Sequence, residues 1–142
     1  MTELLRLARQ LGVSVCEAHL PEPYRGFYDH ERRRVVYDAR LTPVERSCVI
    51  AHELGHAFHD HRGAGDLEAE AAADVFAARI LIDPGRLAQL EAIGLSGAEL
   101  AEELGVSVKL LRVFAESHVT RMRGIASSRP RLGQEQFLHA VR

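Results

Sequence analysis

The sequence has little of three features on which whole classes of protein depend: cysteine, long apolar runs and net charge. Only two of its 142 residues are cysteines. Cys16 and Cys48 are far apart and form no CxxC pair, so we expect reduced, buried thiols and no disulfide framework. The sequence contains no run of about 18 apolar residues, and no basic segment leads into an apolar one, so we predict neither a membrane span nor a secretory signal. We therefore expect a cytoplasmic protein.

The charge is nearly balanced, with a formal net value of -2 at pH 7 and a pI of about 6.4. Such a chain has no general electrostatic attraction for nucleic acid or membranes. The balance is uneven, because residues 121–142 contain five arginines and one glutamate. We expect residues 124–142 to form a basic, solvated tail, with contact to an acidic partner or nucleic acid as the alternative.

Length and composition favour one compact domain, which we place at residues 1–123. A chain of 142 residues that is 46% hydrophobic can bury one sizeable core. Helical spacing of leucines predicts a first helix over residues 2–11. Three short strands are predicted at residues 13–16, 26–28 and 34–37, the last two joined as a hairpin. Together the strands predict a small antiparallel sheet.

Capping residues mark where the later helices begin. Thr42, Pro43 and Glu45 combine an N-cap, a first-turn proline and a capping-box glutamate. Similar signals predict helices at 43–60, 67–82, 84–94 and 97–104, and a last helix that ends near residue 123. The fold class is therefore α+β, with a small antiparallel sheet packed on helices and a helical hairpin at 96–120. In the helix 43–60, the apolar stripe expected to face the core is Val44, Cys48, Ala51, Gly55 and Phe58.

Residues 51–56 read AHELGH, with two histidines four residues apart on one predicted helix. A four-residue step advances about 6 Å and turns about 40° past a full turn, so His52 and His56 project side by side and can hold one ion. Glu53 reaches the same side, where it can act as a base toward water at the ion. This pattern is typical of catalytic zinc, which keeps one position free of protein ligands. The alternative is a chance motif whose histidines are surface polar groups.

A zinc site of this kind needs a third protein ligand. His59 shares the stripe of the two histidines, but it lies about 10 Å along the axis from His52, too far for bonds of about 2 Å to one ion. Glu70 on the next helix is the better candidate. Asp74, one turn later, can accept the spare N–H of a ligating histidine. The alternative is that both acids face solvent on an alanine-rich helix.

With these residues in place, the sequence resembles the gluzincin zinc peptidases, in which HExxH is followed by a glutamate ligand and by an acid four residues later. More closely, it resembles the ImmA/IrrE family of metallo-endopeptidases over roughly residues 5–120. Four segments carry the resemblance: Gly26-Phe27-Tyr28, HELGH with His59, EAAADVFAARILIDP at 70–84, and LAEELGVS at 100–107. The metzincin pattern HExxHxxGxxH is excluded, because position 59 is histidine and position 62 is arginine. Asp74 stands where the ImmA/IrrE family often has asparagine.

The resemblance implies a zincin-like helical core and a zinc-dependent endopeptidase. Carried onto this chain, it makes His52, His56 and Glu70 the ligands of Zn²⁺ and Glu53 the catalytic acid and base. Asp74 is then the partner of a ligating histidine. The family also implies a protein substrate: a helix-turn-helix repressor of the XRE type that controls a mobile element, a prophage or a stress response.

Two other functions remain open on the sequence: a helix-turn-helix DNA-binding regulator with a structural metal, and a catalytically idle adaptor that holds a repressor. The segment 96–120 fits a helix-turn-helix template with Gly105 at the turn. Residues 96–123 carry four acidic and four basic side chains, however, and phosphate binding needs a positive excess. We therefore expect no direct DNA binding. Glu53 favours the enzyme over both alternatives, because a structural metal needs no base.

Peptide hydrolysis also requires a hydrogen-bond donor for the oxyanion that forms on the attacked carbonyl. The sequence offers four candidates and no basis for choosing among them: Tyr28, Tyr37, His118 and Arg121.

Overall fold

Six helices and three strands make up the part of the chain that the computed structural model describes, namely residues 1–62 and 66–128, with residues 119–128 as backbone only. Their order is α1 (Thr2–Gln10), β1 (Ser14–Ala18), β2 (Gly26–Asp29), β3 (Arg34–Asp38), α2 (Pro43–Phe58), α3 (Leu67–Leu81), α4 (Pro84–Ala92), α5 (Gly97–Leu104) and α6 (Val108–Ser128). This order confirms the predicted α+β class.

The sheet is mixed, so the prediction of an antiparallel sheet is wrong for one of its two pairings. The strand order is β1-β3-β2. Strand β2 pairs antiparallel with β3, as the predicted hairpin requires, whereas β1 pairs parallel with β3. The chain reverses direction between β1 and β2 and again between β2 and β3, so β1 and β3 run the same way once β3 lies between them. Val35 and Val36 of β3 are both buried although they point to opposite faces. The strand that is apolar on both faces occupies the centre, and β1 and β2 flank it.

The helices begin at the predicted caps. The Thr42 side chain accepts a hydrogen bond from the backbone N–H of Glu45 at 3.2 Å and so opens α2. Asp66 opens α3 by accepting from the N–H of Glu68 at 3.0 Å. A reciprocal capping box opens α5. Each side chain satisfies an N–H group that the first turn of a helix leaves unpaired, which is why local sequence predicts these boundaries well.

One cluster of buried side chains extends from α1 to α6, and α2 passes through it. The predicted stripe of α2 is only partly correct: Ala51 and Gly55 are buried, but Val44 and Phe58 are 41% and 56% exposed. The core takes the adjacent stripe of Ile50, Leu54 and Ala57 instead. This stripe also has helical spacing, and its two branched aliphatic side chains are fully buried.

Gly55 sets how closely α2 and α3 approach. A Cβ atom at this position would lie 2.9 Å from Ala73 Cα and 3.0 Å from the Ala73 carbonyl oxygen, distances at which side-chain carbons clash. Glycine on α2 and alanine on α3 therefore let the two helix backbones meet directly. As a consequence, the polar residues next to this contact on each helix face each other across a short gap.

Replacing Gly55 with alanine should destabilise the metal-free protein by about 1–3 kcal/mol, the usual range for overpacking a tight contact, because α3 must move away from α2. Chemical denaturation would measure the change. Gly97→Ala is the matched control, since a Cβ there meets nothing within 4 Å, and its stability should stay within about 0.5 kcal/mol of wild type. Equal stability of wild type and Gly55→Ala would contradict the close contact.

The α5–α6 hairpin has the predicted helix-turn-helix form. Helix α5 ends at Gly105, whose φ of +69° is in the left-handed region, where glycine carries no steric penalty. Ser107 then caps α6 by accepting from the N–H of Leu110 at 3.1 Å. Leu111 and Phe114 are buried in the shared core. The first half of α6 therefore packs on the body of the protein.

Helix α6 continues to Ser128, past the predicted end near residue 123. The remainder of the predicted basic tail, 129–142, lies outside the described residues. Because the core cluster reaches from α1 to α6, it supports our proposal of one domain over residues 1–123. Among the described residues, no helix combines the length and the apolar character that crossing a membrane requires.

Candidate metal centre

His52 and His56 lie on α2 and face Glu70 on α3. The His52 Nε2 atom is 2.7 Å from Glu70 Oε2, and the His56 Nε2 atom is 3.3 Å from the same oxygen. The two imidazole rings are 4.8 Å apart between centroids and nearly perpendicular. Both Nε2 atoms therefore point toward one carboxylate oxygen, as the four-residue spacing and the candidate third ligand predict.

The three side chains fit a metal ion. One donor atom from each of His52, His56 and Glu70 can be chosen so that all three lie within 4.8 Å of one another, as they must to bind one ion at about 2 Å. Two imidazole nitrogens and one carboxylate oxygen form a donor set that zinc uses in catalytic sites. The residues predicted as metal ligands are thus brought together by the contact of α2 with α3 at Gly55.

Asp74 holds the far side of the His52 ring. Its Oδ1 atom is 2.8 Å from His52 Nδ1, and its Oδ2 atom is 3.4 Å from the ammonium nitrogen of Lys109 on α6. A carboxylate in this position accepts the Nδ1–H proton and leaves Nε2 unprotonated, which is the tautomer a metal needs. Sequence reasoning identified Asp74 but not Lys109, because Lys109 comes from a distant part of the chain and the helix-turn-helix pattern around it does not indicate a contact with Asp74.

His61 holds the far side of the His56 ring in the same way. Its Nδ1 atom lies 2.9 Å from His56 Nδ1, so one ring donates and the other accepts. If His56 Nε2 serves as a ligand, its Nδ1–H must donate to His61. Burial, followed by the nearby His52, lowers the pKa of His56, which favours the neutral imidazole. The sequence did not assign this role to His61, because it depends on the turn after α2, where Asp60 has a φ of +58°.

Glu53 follows His52 on α2 and lies on the inner wall of the site. Burial raises the pKa of its carboxyl group to about 7, because a carboxylate loses hydration when it leaves water. A carboxyl group with a pKa near neutrality can take up and release a proton at physiological pH. Its position agrees with the predicted role of an acid and base beside the metal ligands, a role that remains a prediction.

Two cavities meet at this site. The larger, of about 460 Å³, lies between α2 and the start of α6, and the smaller, of about 250 Å³, lies beside the tip of β2. Gly26, Glu53 and Glu70 line both. Ser107 and Lys109 of the hairpin belong to the wall of the larger cavity. Glu53 therefore borders both cavities, one on the side of α6 and the other on the side of β2.

The structure places His59 and the proposed oxyanion donors in different surroundings. His59 is exposed and stacks on His61, with ring centroids 5.4 Å apart, outside the set of possible ligands. The Tyr37 ring lies under the Arg46 guanidinium at 5.7 Å, and His118 lines another cavity together with Phe114. The side chain of residue 121 lies outside the described part. Of the three candidates whose side chains the structure describes, Tyr28 lines a cavity together with Glu53.

Comparison with known proteins agrees with the resemblance seen in the sequence. The family model described as Peptidase_M78, IrrE N-terminal-like domain, matches residues 8–116, which is more than half of the chain. The chain is also 36% identical over 53 residues to "Uncharacterized immunity region protein 2" of Bacillus phage phi105. That alignment covers 36% of this chain and 34% of the phage protein, so it spans about a third of the relative's length.

Proposed function

The chain belongs to the Peptidase_M78 family of IrrE N-terminal-like domains, and on that premise we propose that it is a zinc-dependent endopeptidase. We infer further that α2 and α3 form a zincin-like core, in which α2 is the active-site helix. One observation carries the proposal: the candidate ligands His52, His56 and Glu70 converge beside the buried carboxyl group of Glu53. A metal that only stabilised the fold would need no such neighbour.

In this proposal His52, His56 and Glu70 hold the zinc ion. When bound, the ion would polarise the substrate carbonyl and lower the pKa of water. Asp74 and His61 fix the two imidazoles through their Nδ1 atoms, so that each Nε2 is unprotonated and correctly directed. These two contacts, one from α3 and one from the turn after α2, orient the imidazoles before any ligand arrives.

Glu53 performs the proton transfers. Its carboxylate takes a proton from the attacking water as the water oxygen bonds to the carbonyl carbon. The same carboxyl group then gives a proton to the amide nitrogen as the carbon–nitrogen bond breaks. In the metal-free site, burial raises the pKa of this carboxyl group to about 7, so it can hold a proton near neutral pH, whereas a bound zinc ion would favour the carboxylate that accepts the proton of water.

We propose that the substrate is a helix-turn-helix repressor of the XRE type. The similar phage protein is named for an immunity region, which fits a role in regulation by a repressor. The groove on both sides of Glu53 would admit an extended segment of a polypeptide, which suits cleavage within a chain. Cleavage of the repressor would release the genes it represses.

The alternatives of a DNA-binding regulator and an idle adaptor receive less support. Helix α6, the counterpart of a recognition helix, packs on the core through Leu111 and Phe114. Its exposed residue Lys109 pairs with Asp74 at 3.4 Å and lines the groove. The start of this helix thus faces the candidate site, and we propose that the hairpin forms part of the groove wall and does not bind DNA.

The proposed function can be tested with the full-length protein and the repressor encoded nearest to its gene. We expect one zinc per chain by metal analysis, and two repressor fragments that mass spectrometry assigns to one internal bond. Treatment with a chelator should abolish cleavage, and an equivalent of zinc should restore it. An intact repressor in all conditions, together with nanomolar binding of the protein to one operator, would replace the peptidase by the regulator.

A further inference from the structure

Tyr28 faces α2 at the level of Glu53. A Cβ atom on Gly26 would lie 2.5 Å from Val49 Cγ1, so this face of β2 points at α2. Alternate residues of a strand share a face, which puts Tyr28 on the same side about 7 Å further along. On α2, Glu53 lies one turn, about 6 Å, beyond Val49. The shared cavity of Tyr28 and Glu53 agrees with this register.

The hydroxyl group of Tyr28 is buried and has no hydrogen-bond partner among the described residues. A buried hydroxyl without a partner destabilises the folded protein, so most buried polar groups are paired. The ring itself packs on the core cluster, which fixes its direction. An unpaired donor therefore lies beside the cavity that Tyr28 lines together with Glu53, His56 and Glu70.

We propose, on the basis of the proposed peptidase function, that Tyr28 is a catalytic residue whose hydroxyl donates a hydrogen bond to the oxygen of the scissile carbonyl. As the water oxygen bonds to the carbonyl carbon, the π electrons of the carbonyl move onto its oxygen, and Glu53 receives the proton of the water. The charge on that oxygen is greatest in the transition state, so a donor aimed at it lowers the barrier more than it strengthens substrate binding.

The inference also explains why Tyr28 is tyrosine. Phenylalanine would fill the same space without leaving a buried hydroxyl unpaired, and it would be the more stable choice if the ring served only for packing. The other described candidates do not compete for this role: Tyr37 lies under Arg46, and His118 lines a different cavity.

The test is Tyr28→Phe in the zinc-loaded full-length protein, assayed on the same repressor. Loss of one oxyanion donor should lower kcat by about 10²- to 10³-fold and leave KM and zinc content near wild type. A phosphonamidate analogue of the cleaved peptide should bind more weakly by a similar factor, because it resembles the transition state. Tyr37→Phe is the matched control and should behave as wild type.

A second readout needs no metal or substrate. The thermal midpoint of metal-free Tyr28→Phe should equal or exceed that of wild type, since the variant removes an unpaired buried hydroxyl. A lower midpoint would assign Tyr28 a structural role and overturn the proposal. Unchanged kcat, or a change in KM alone, would also overturn it while leaving the peptidase intact. Absence of cleavage by wild type would instead reject the proposed function itself, and the catalytic role of Tyr28 with it.

Discussion

Glu53→Gln should abolish most peptidase activity while leaving the protein folded and loaded with zinc. Glutamine keeps the shape of the side chain but cannot accept the proton of the attacking water, and loss of a positioned general base lowers rates by about 10²- to 10⁴-fold. Zinc content should be unchanged, because Glu53 is outside the group of possible ligands formed by His52, His56 and Glu70. Rates of repressor cleavage and metal analysis on the same preparation measure both effects.

A second property of Glu53→Gln follows from its intact groove: the variant should be isolated from cells together with uncut repressor. Glu102→Gln is the matched control, since Glu102 is exposed on α5 and lies outside both cavities; it should cleave at the wild-type rate. Wild-type rates for Glu53→Gln would mean that another group takes the proton, and the mechanism proposed for this site would be wrong.

Glu70→Ala should lose the metal. Catalytic zinc sites have three protein ligands, and the variant would keep only the two histidines. Removing a residue that merely hydrogen-bonds to a ligand lowers metal affinity roughly 10- to 100-fold. We expect the loss of the ligand itself to lower the zinc affinity by more than that. Zinc at about 100 times its Kd should stabilise the wild type by about 2.7 kcal/mol. In the variant this stabilisation should nearly disappear at the same zinc concentration.

The control for this experiment is Glu68→Ala, which removes an exposed carboxylate from the same turn of α3. It should keep the zinc affinity of the wild type, so that a general effect of charge is distinguished from the loss of a ligand. Isothermal titration with zinc gives the affinities, and thermal unfolding with and without zinc gives the stabilisation. Full zinc occupancy in Glu70→Ala would remove Glu70 from the metal centre.

The parts of this protein that sequence predicts well are those set by neighbours along the chain. Thr42 and Asp66 cap helices through N–H groups two or three residues away. His52 and His56 converge because four residues make slightly more than one helical turn. For such features the spacing of residues along the chain determines their geometry. Most of the helices begin within one or two residues of the predicted position.

The parts that sequence predicts less well depend on contacts between distant segments. The pairing of β1 with β3 depends on β3 taking the centre of the sheet, where both of its faces are covered, and this is a property of the whole core. His61 reaches His56 only because the chain turns at Asp60. To prefer Tyr28 over Tyr37 as the oxyanion donor, one must know which residues of β2 lie opposite Glu53 on α2. No sequence pattern within either segment gives this alignment.

Lys109 connects the hairpin to the metal centre through two consecutive contacts. Its ammonium group lies 3.4 Å from Asp74, which in turn lies 2.8 Å from His52. The orientation of a candidate ligand and the position of α6 are therefore parts of one equilibrium. A molecule that bound the hairpin and drew Lys109 away would change the affinity of the site for zinc, and zinc would change the affinity for that molecule by the same factor. If the site holds zinc as proposed, the hairpin and the metal would therefore influence each other through Lys109 and Asp74.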